Sequence, residues 1–80
     1  MHDAWQEVNN TLQKTFTFAD FRQALAFVNR VGEVAERLQH HPDICITDYK
    51  NVVISTTTHD RGNRITEKDR QLAKTIDALV

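Results

Sequence analysis

Three histidines carry the chemistry this sequence can offer: His40 and His41, adjacent and followed by Pro42, and His59 further along. Histidine has an ordinary pKa of about 6.5, so it can both give and take a proton near neutrality. The pair stands where a helical pattern stops. The partial negative charge of a helix C-terminus favours cationic side chains, so one imidazole there could be held as an acid. His59, beside Asp60, closes a β-rich run, and a strand end facing a helix end would bring three imidazoles together. These residues do not read as a metal site, because adjacent histidines point apart and Cys45 adds no usual zinc-ligand spacing. Cys45 itself lies in Ile44-Cys45-Ile46 and reads as a small strand residue rather than an activated thiolate.

Two acidic residues lie close to this set in pattern. Glu36 falls one helical turn before the histidine pair and, taken alone, reads as a solvated helix residue. Asp69 follows Thr66 at capping-box spacing, where a carboxylate stabilises a helix start whatever else it does.

The elements that must position these groups follow from periodicity. Phe21, Ala24, Leu25, Val28, Val31, Ala35 and Leu38 recur at spacings of three and four, which predicts one apolar face of a long helix from about Phe18 to Gln39. Thr17 and Asp20 have capping-box spacing at its start, and Pro42 disfavours helical geometry at His41. Before it, Leu12 to Phe18 alternates irregularly and suits a strand, with Trp5 and Val8 in a preceding strand and Asn9-Asn10 as the turn. Ile44 and Ile46, then Val52, Ile54 and Thr56, form a second hairpin around Asp48 to Asn51. After a polar loop from His59 to Ile65, Leu72, Ala73, Ile76, Leu79 and Val80 continue as a terminal helix. The order ββαββα predicts an α+β fold, an antiparallel four-stranded sheet with helices packed on one face. Phe16, Phe18, Phe21 and Phe27 read mostly as core, and Trp5 and Tyr49 as packing residues with polar tips.

Bulk properties narrow the class. Eighty residues with two glycines and one proline imply a single domain over 1–80, without linkers or repeats. So short a chain buries only roughly 60% of its unfolded surface, which makes a homo-oligomer, dimer or tetramer, a natural supplement. Ten basic against eleven acidic residues, net −1, leave no polyanion-binding stripe, so direct nucleic-acid binding is not expected. Arg61 and Arg64 read as a solvated loop face. The longest apolar run, Val52-Val53-Ile54, is far short of the roughly 20 residues that span a bilayer. Met1-His2-Asp3 has no signal-peptide pattern, so a soluble cytoplasmic protein is expected.

Glu36, His40-His41-Pro42, Tyr49, His59 and Asp69 fall in an order and spacing that resembles the pterin-4a-carbinolamine dehydratase family. The similarity extends through Trp5, Phe16-Thr17-Phe18-Ala19-Asp20-Phe21, Val34-Ala35-Glu36, Thr57-Thr58-His59-Asp60, Thr66-Glu67-Lys68-Asp69 and Leu72-Ala73. The resemblance implies dehydration of 4a-hydroxytetrahydrobiopterin or a related pterin to quinonoid dihydropterin, a pterin-recycling step. It implies His40, His41 and His59 as catalytic residues, Glu36, Pro42, Asp60 and Asp69 as substrate-binding or supporting residues, and no cofactor. It also implies possible protein partners, since some members are dimerisation cofactors of a homeodomain transcription factor and others are linked to assembly of carbon-fixation complexes. Three departures stand out. The chain starts almost at the strand that a further helix usually precedes in the family. The loop Arg61-Gly62-Asn63-Arg64-Ile65 is more basic and slightly longer than usual, and Lys50 replaces a common asparagine.

Overall fold

The fold follows from two hairpins, each followed by a helix. In the computed structural model, residues 4–80 are described; Met1-His2-Asp3, read above for a targeting pattern, lies outside them. Strand β1 (Gln6–Val8) pairs with β2 (Thr11–Thr17), helix α1 spans Phe21–Leu38, β3 (Asp43–Thr47) pairs with β4 (Asn51–Thr56), and α2 spans Glu67–Asp77. A single 3-10 turn, His59–Arg61, lies between β4 and α2. The sheet order is β1-β2-β4-β3 with every pair antiparallel, so β2 and β4 are central and β1 and β3 are the edges.

Each turn has a local cause. Asn9 and Asn10 both take positive φ, 49° and 64°, the pairing that a two-residue hairpin turn demands and that asparagine tolerates. In the second hairpin the loop has three residues, Asp48 to Lys50, of which Asp48 and Tyr49 take positive φ, 52° and 55°. The sheet's alternation sends Leu12 and Phe16 of β2, and Val52, Ile54 and Thr56 of β4, to the helix-covered side. Phe16, Val52, Ile54, Phe27, Val31, Val34, Leu72 and Ile76 form one core cluster, and each such side chain contributes roughly 1.5–3 kcal/mol on burial. Trp5 packs against that cluster, edge-on to Phe16 with centroids 6.1 Å apart, and donates its indole N–H to Asp77 at 3.0 Å. It is thus the packing residue with a polar tip that its type suggests.

Two expectations about α1 are corrected. The helix starts later than the Thr17–Asp20 spacing implies: Asp20 itself is the N-cap, its carboxylate accepting from the Gln23 backbone N–H at 2.8 Å. Thr17 remains in β2, where its hydroxyl donates to Asn51 at 2.9 Å. The apolar face is also rotated. Ala24, Phe27, Val31, Val34 and Ala35 are buried, whereas Phe21 and Leu25 are 50% and 43% exposed. The buried stripe centres on Val31 and extends three or four residues at a time through Phe27 and Val34. Leu25 lies one position off that stripe. Phe21, first in the helix, sits at its flank.

Candidate active site

The site is built at the C-terminal end of α1. Gln39 takes the left-handed conformation, φ 52° and ψ 44°. Its backbone N–H reaches the Glu36 carbonyl at 3.3 Å, while that of His40 reaches the Ala35 carbonyl at 3.1 Å. This is a Schellman turn, which satisfies the orphaned carbonyls of the last helical turn. Glycine is the usual occupant. Here the Gln39 side-chain amide also donates to the Glu36 carbonyl at 2.7 Å. The reversal sets His40 inward and His41 outward, which is how two neighbours acquire different surroundings.

His40 meets Asp69 at 2.6 Å through Nε2. Asp69 has no solvent exposure, and the His40 side chain retains only 12%. The Asp69 carboxylate accepts four bonds in all. On Oδ1 they come from His40 and from the Thr56 hydroxyl, the latter at 2.7 Å; on Oδ2, from the Thr58 hydroxyl at 2.7 Å and the Thr66 backbone N–H at 2.9 Å. Four donors on two oxygens match the acceptor capacity of an ionised carboxylate. Burial pushes the Asp69 pKa up, but the bonds from His40, the Thr66 backbone, Thr56 and Thr58 outweigh it and hold the group below its ordinary value. The carboxylate is therefore the anion, and His40 must supply the proton on Nε2. Its Nδ1 is the nitrogen left for exchange with a ligand. Thr66 and Asp69 also form a reciprocal capping box, so the residue that starts α2 is the one that grips His40. Among the described residues, no buried side-chain nitrogen or oxygen lacks a partner.

His41 bonds Glu36 at 2.5 Å through Nε2, with both side chains largely in solvent. His59 lies in the exposed 3-10 turn after β4, and its Nδ1 meets Asn63 Oδ1 at 2.7 Å. An open cavity of about 290 Å³ has His40, His41, His59, Asp60, Lys68, Thr57 and Gln39 in its walls. That volume is near the lower end of small-molecule sites, roughly 300–1,000 Å³. The structure thus brings together all three histidines and Asp60. Glu36 and Asp69 stand behind the wall, each bonded to a histidine in it, and Pro42, partly buried, is not in the wall. A second hollow of about 310 Å³, walled by Trp5, Leu12, Ala73 and charged neighbours, contains no histidine. Among the described residues, no three His, Cys, Asp or Glu side chains converge as a metal-binding group.

Several contributors escaped the sequence reading, Thr57 and Gln39 in the cavity wall among them. Thr56 and Thr58 grip Asp69, Asn63 holds His59, and Lys68 lines the cavity. The threonines did carry a signal. Val52, Ile54, Thr56 and Thr58 share one parity, so two hydroxyls continue a buried apolar row and require a buried acceptor.

Fold and site define a class: a small α+β protein whose helix end and strand end present imidazoles, one backed by a buried carboxylate, to a single cavity. The family model described as Pterin 4 alpha carbinolamine dehydratase matches residues 1–79, and the chain belongs to that family. A relative in Sulfurisphaera tokodaii, named "Putative pterin-4-alpha-carbinolamine dehydratase", is 46% identical over 95% of this chain and 80% of its own length. A protein of the same name in Thermosynechococcus vestitus is 48% identical over 94% of this chain and 77% of its own. Among solved structures, a transcriptional coactivator/pterin dehydratase from Brucella melitensis superposes with a TM-score of 0.84 at 33% identity, covering 96% of this chain and 82% of that one. A pterin dehydratase-like protein described as a RuBisCO assembly factor in the alpha-carboxysome gives 0.80 at 27% identity, covering 98% and 90%.

Proposed function

We propose that this chain is a pterin-4a-carbinolamine dehydratase, a cofactor-independent hydro-lyase in tetrahydrobiopterin recycling, acting as one domain over residues 1–80. The observation that carries this reading is the convergence of His40, His41 and His59 on one cavity, with His40 held from behind by the buried Asp69. Loss of water from 4a-hydroxytetrahydropterin breaks the bond between C4a and its hydroxyl oxygen, which leaves with a proton supplied by an acid. A base takes the proton from the adjoining ring nitrogen as the new carbon–nitrogen double bond forms. One proton is given and one taken, which suits a set of imidazoles. His40 and His59 carry these transfers, and His41 positions the substrate or assists protonation. Asp60 contacts the substrate from the wall, Asp69 and Glu36 hold their histidines, and Pro42 shapes the chain beside the pair.

The test is turnover of a freshly generated 4a-hydroxytetrahydropterin by the purified protein, with and without a chelator. Acceleration that survives the chelator is expected, and no acceleration over buffer would contradict the reading. The enzyme is taken to act in the cytoplasm without direct membrane or nucleic-acid binding; among the described residues no helix is long and apolar enough to cross a membrane, and ten basic against eleven acidic residues leave no polyanion-binding stripe. The two open strand edges, β1 and β3, and the exposed Phe21 and Leu25 support a homo-oligomer. The same surfaces favour a second reading, a partner-binding or assembly role like those described for the two solved structures. Tight partner binding without dehydration would select it.

A further inference from the structure

We infer that Asn63 is a positioning residue for His59, fixing its ring so that Nδ1 keeps its proton and Nε2 is the nitrogen presented to the cavity. The inference rests on the dehydratase reading for its consequence in catalysis, but not for its geometry. Asn63 Oδ1 lies 2.7 Å from His59 Nδ1. A side-chain carbonyl oxygen only accepts, so Nδ1 must donate. In the neutral ring the other nitrogen is then bare and basic. His59 lines the cavity and Asn63 does not, so the amide grips the ring from outside the wall.

The loop does not need this side chain in order to close. Thr58 and Arg64 bridge each other through two backbone bonds, 3.0 and 3.4 Å, and the Gly62 N–H reaches the His59 carbonyl at 3.1 Å. Thr58 is tied in turn to Asp69 at 2.7 Å, so the base of the loop is anchored to the carboxylate that holds His40. What the backbone cannot do is choose a tautomer for an exposed imidazole. Asn63 sits at φ 56°, directly after Gly62 at φ 73°. Asparagine is one of the few side chains that accept the left-handed region, so this position can carry an acceptor amide without breaking the turn. The two leading imidazoles are then fixed in complementary ways, His40 through its Nε2 proton and His59 through its Nδ1 proton.

Two variants separate this role from a merely structural one. Asn63→Gly keeps the backbone freedom and removes the acceptor, whereas Asn63→Asp keeps an acceptor. The readouts are the ring-nitrogen chemical shifts of His59 in nitrogen-15 NMR, taken where the imidazole is neutral, together with the dehydration kinetics of the purified protein. In the wild type, Nδ1 should carry the proton. In Asn63→Gly the proton should be shared between the two nitrogens, and kcat should fall about tenfold with KM unchanged, the scale for losing a group that orients an imidazole from behind. Asn63→Asp should keep the Nδ1 proton and most of the rate, and should move one limb of the pH profile upward, because a carboxylate stabilises the imidazolium. A wild-type ring protonated on Nε2, or Asn63→Gly shifts identical to wild type, would overturn the assignment. A wild-type ring protonated on Nδ1 in a protein without turnover would remove the dehydratase reading and still support the assignment.

Discussion

Two imidazole–carboxylate contacts lie one residue apart in sequence and differ in almost everything but length. His40 meets Asp69 at 2.6 Å and His41 meets Glu36 at 2.5 Å. The first carboxylate is fully buried and accepts three further bonds, while the second pair is 57% and 71% exposed. Distance alone therefore says little about what a contact is worth. A buried carboxylate stripped of water stays ionised only where donors saturate it, so each partner is obligatory and the geometry is rigid. An exposed pair competes with water and contributes about 0–1 kcal/mol. The difference separates the two histidines: the His40 ring is held in one orientation by a buried partner, whereas the His41 ring can reorient in solvent.

The largest expected effect comes from breaking the buried side of this comparison. Asp69→Ala leaves two threonine hydroxyls, the Thr66 N–H and His40 without their acceptor. It should destabilise the fold by about 3–5 kcal/mol, since each buried donor left without an acceptor costs about 1–3 kcal/mol. Glu36→Ala should stay within about 1 kcal/mol. Urea midpoints of the two variants measured side by side would check this, and equal losses would erase the distinction.

Acid should expose the buried carboxylate in the same sense. The folded-state pKa of Asp69 is depressed, so below the ordinary aspartate value of about 3.9 the unfolded chain binds the extra proton first. Its contribution is fully present above that value and is lost as pH falls through the lower folded value. Stability should therefore drop between about pH 4 and the acid limit. In Asp69→Asn that part of the slope should vanish, as titration of the urea midpoint would show.

The smallest effect concerns the turn that separates the two histidines. Gln39 holds a left-handed conformation that strains residues bearing a Cβ by roughly 1–2 kcal/mol, offset in part by its side-chain bond to the Glu36 carbonyl. Gln39→Gly should therefore raise stability by roughly 0.5–1 kcal/mol, read as a shift in Tm.

How much of this was legible beforehand varies by element. The element order, both hairpins and the helix stop before Pro42 were readable, because strand alternation, asparagine turns and proline each act locally. The position of α1's buried face was less so. Phe21 and Leu25 are as apolar as Phe27 and Val34, and only the docking of the helix on the sheet selects among them. The histidine cluster was legible because its members bracket a helix end and a strand end. Their partners were harder to read. Glu36 and Asp69 were singled out near the site, but the bond from Asp69 to His40 depends on how α1 and α2 meet, and that from Glu36 to His41 on the left-handed turn at Gln39. Asn63 lies in a loop whose conformation rests on two consecutive positive φ values, and periodicity says nothing about such a segment.

The central claim is that the prepositioned imidazoles are the working ones. Its most direct test is the rate of dehydration of a generated 4a-hydroxytetrahydropterin by wild type, His40→Ala, His59→Ala and His41→Ala, each first confirmed as folded. His40→Ala and His59→Ala should each lower the rate by about 100-fold or more, the scale for losing an acid/base group, with a smaller loss for His41→Ala. Wild-type rates in folded His40→Ala and His59→Ala would contradict the account.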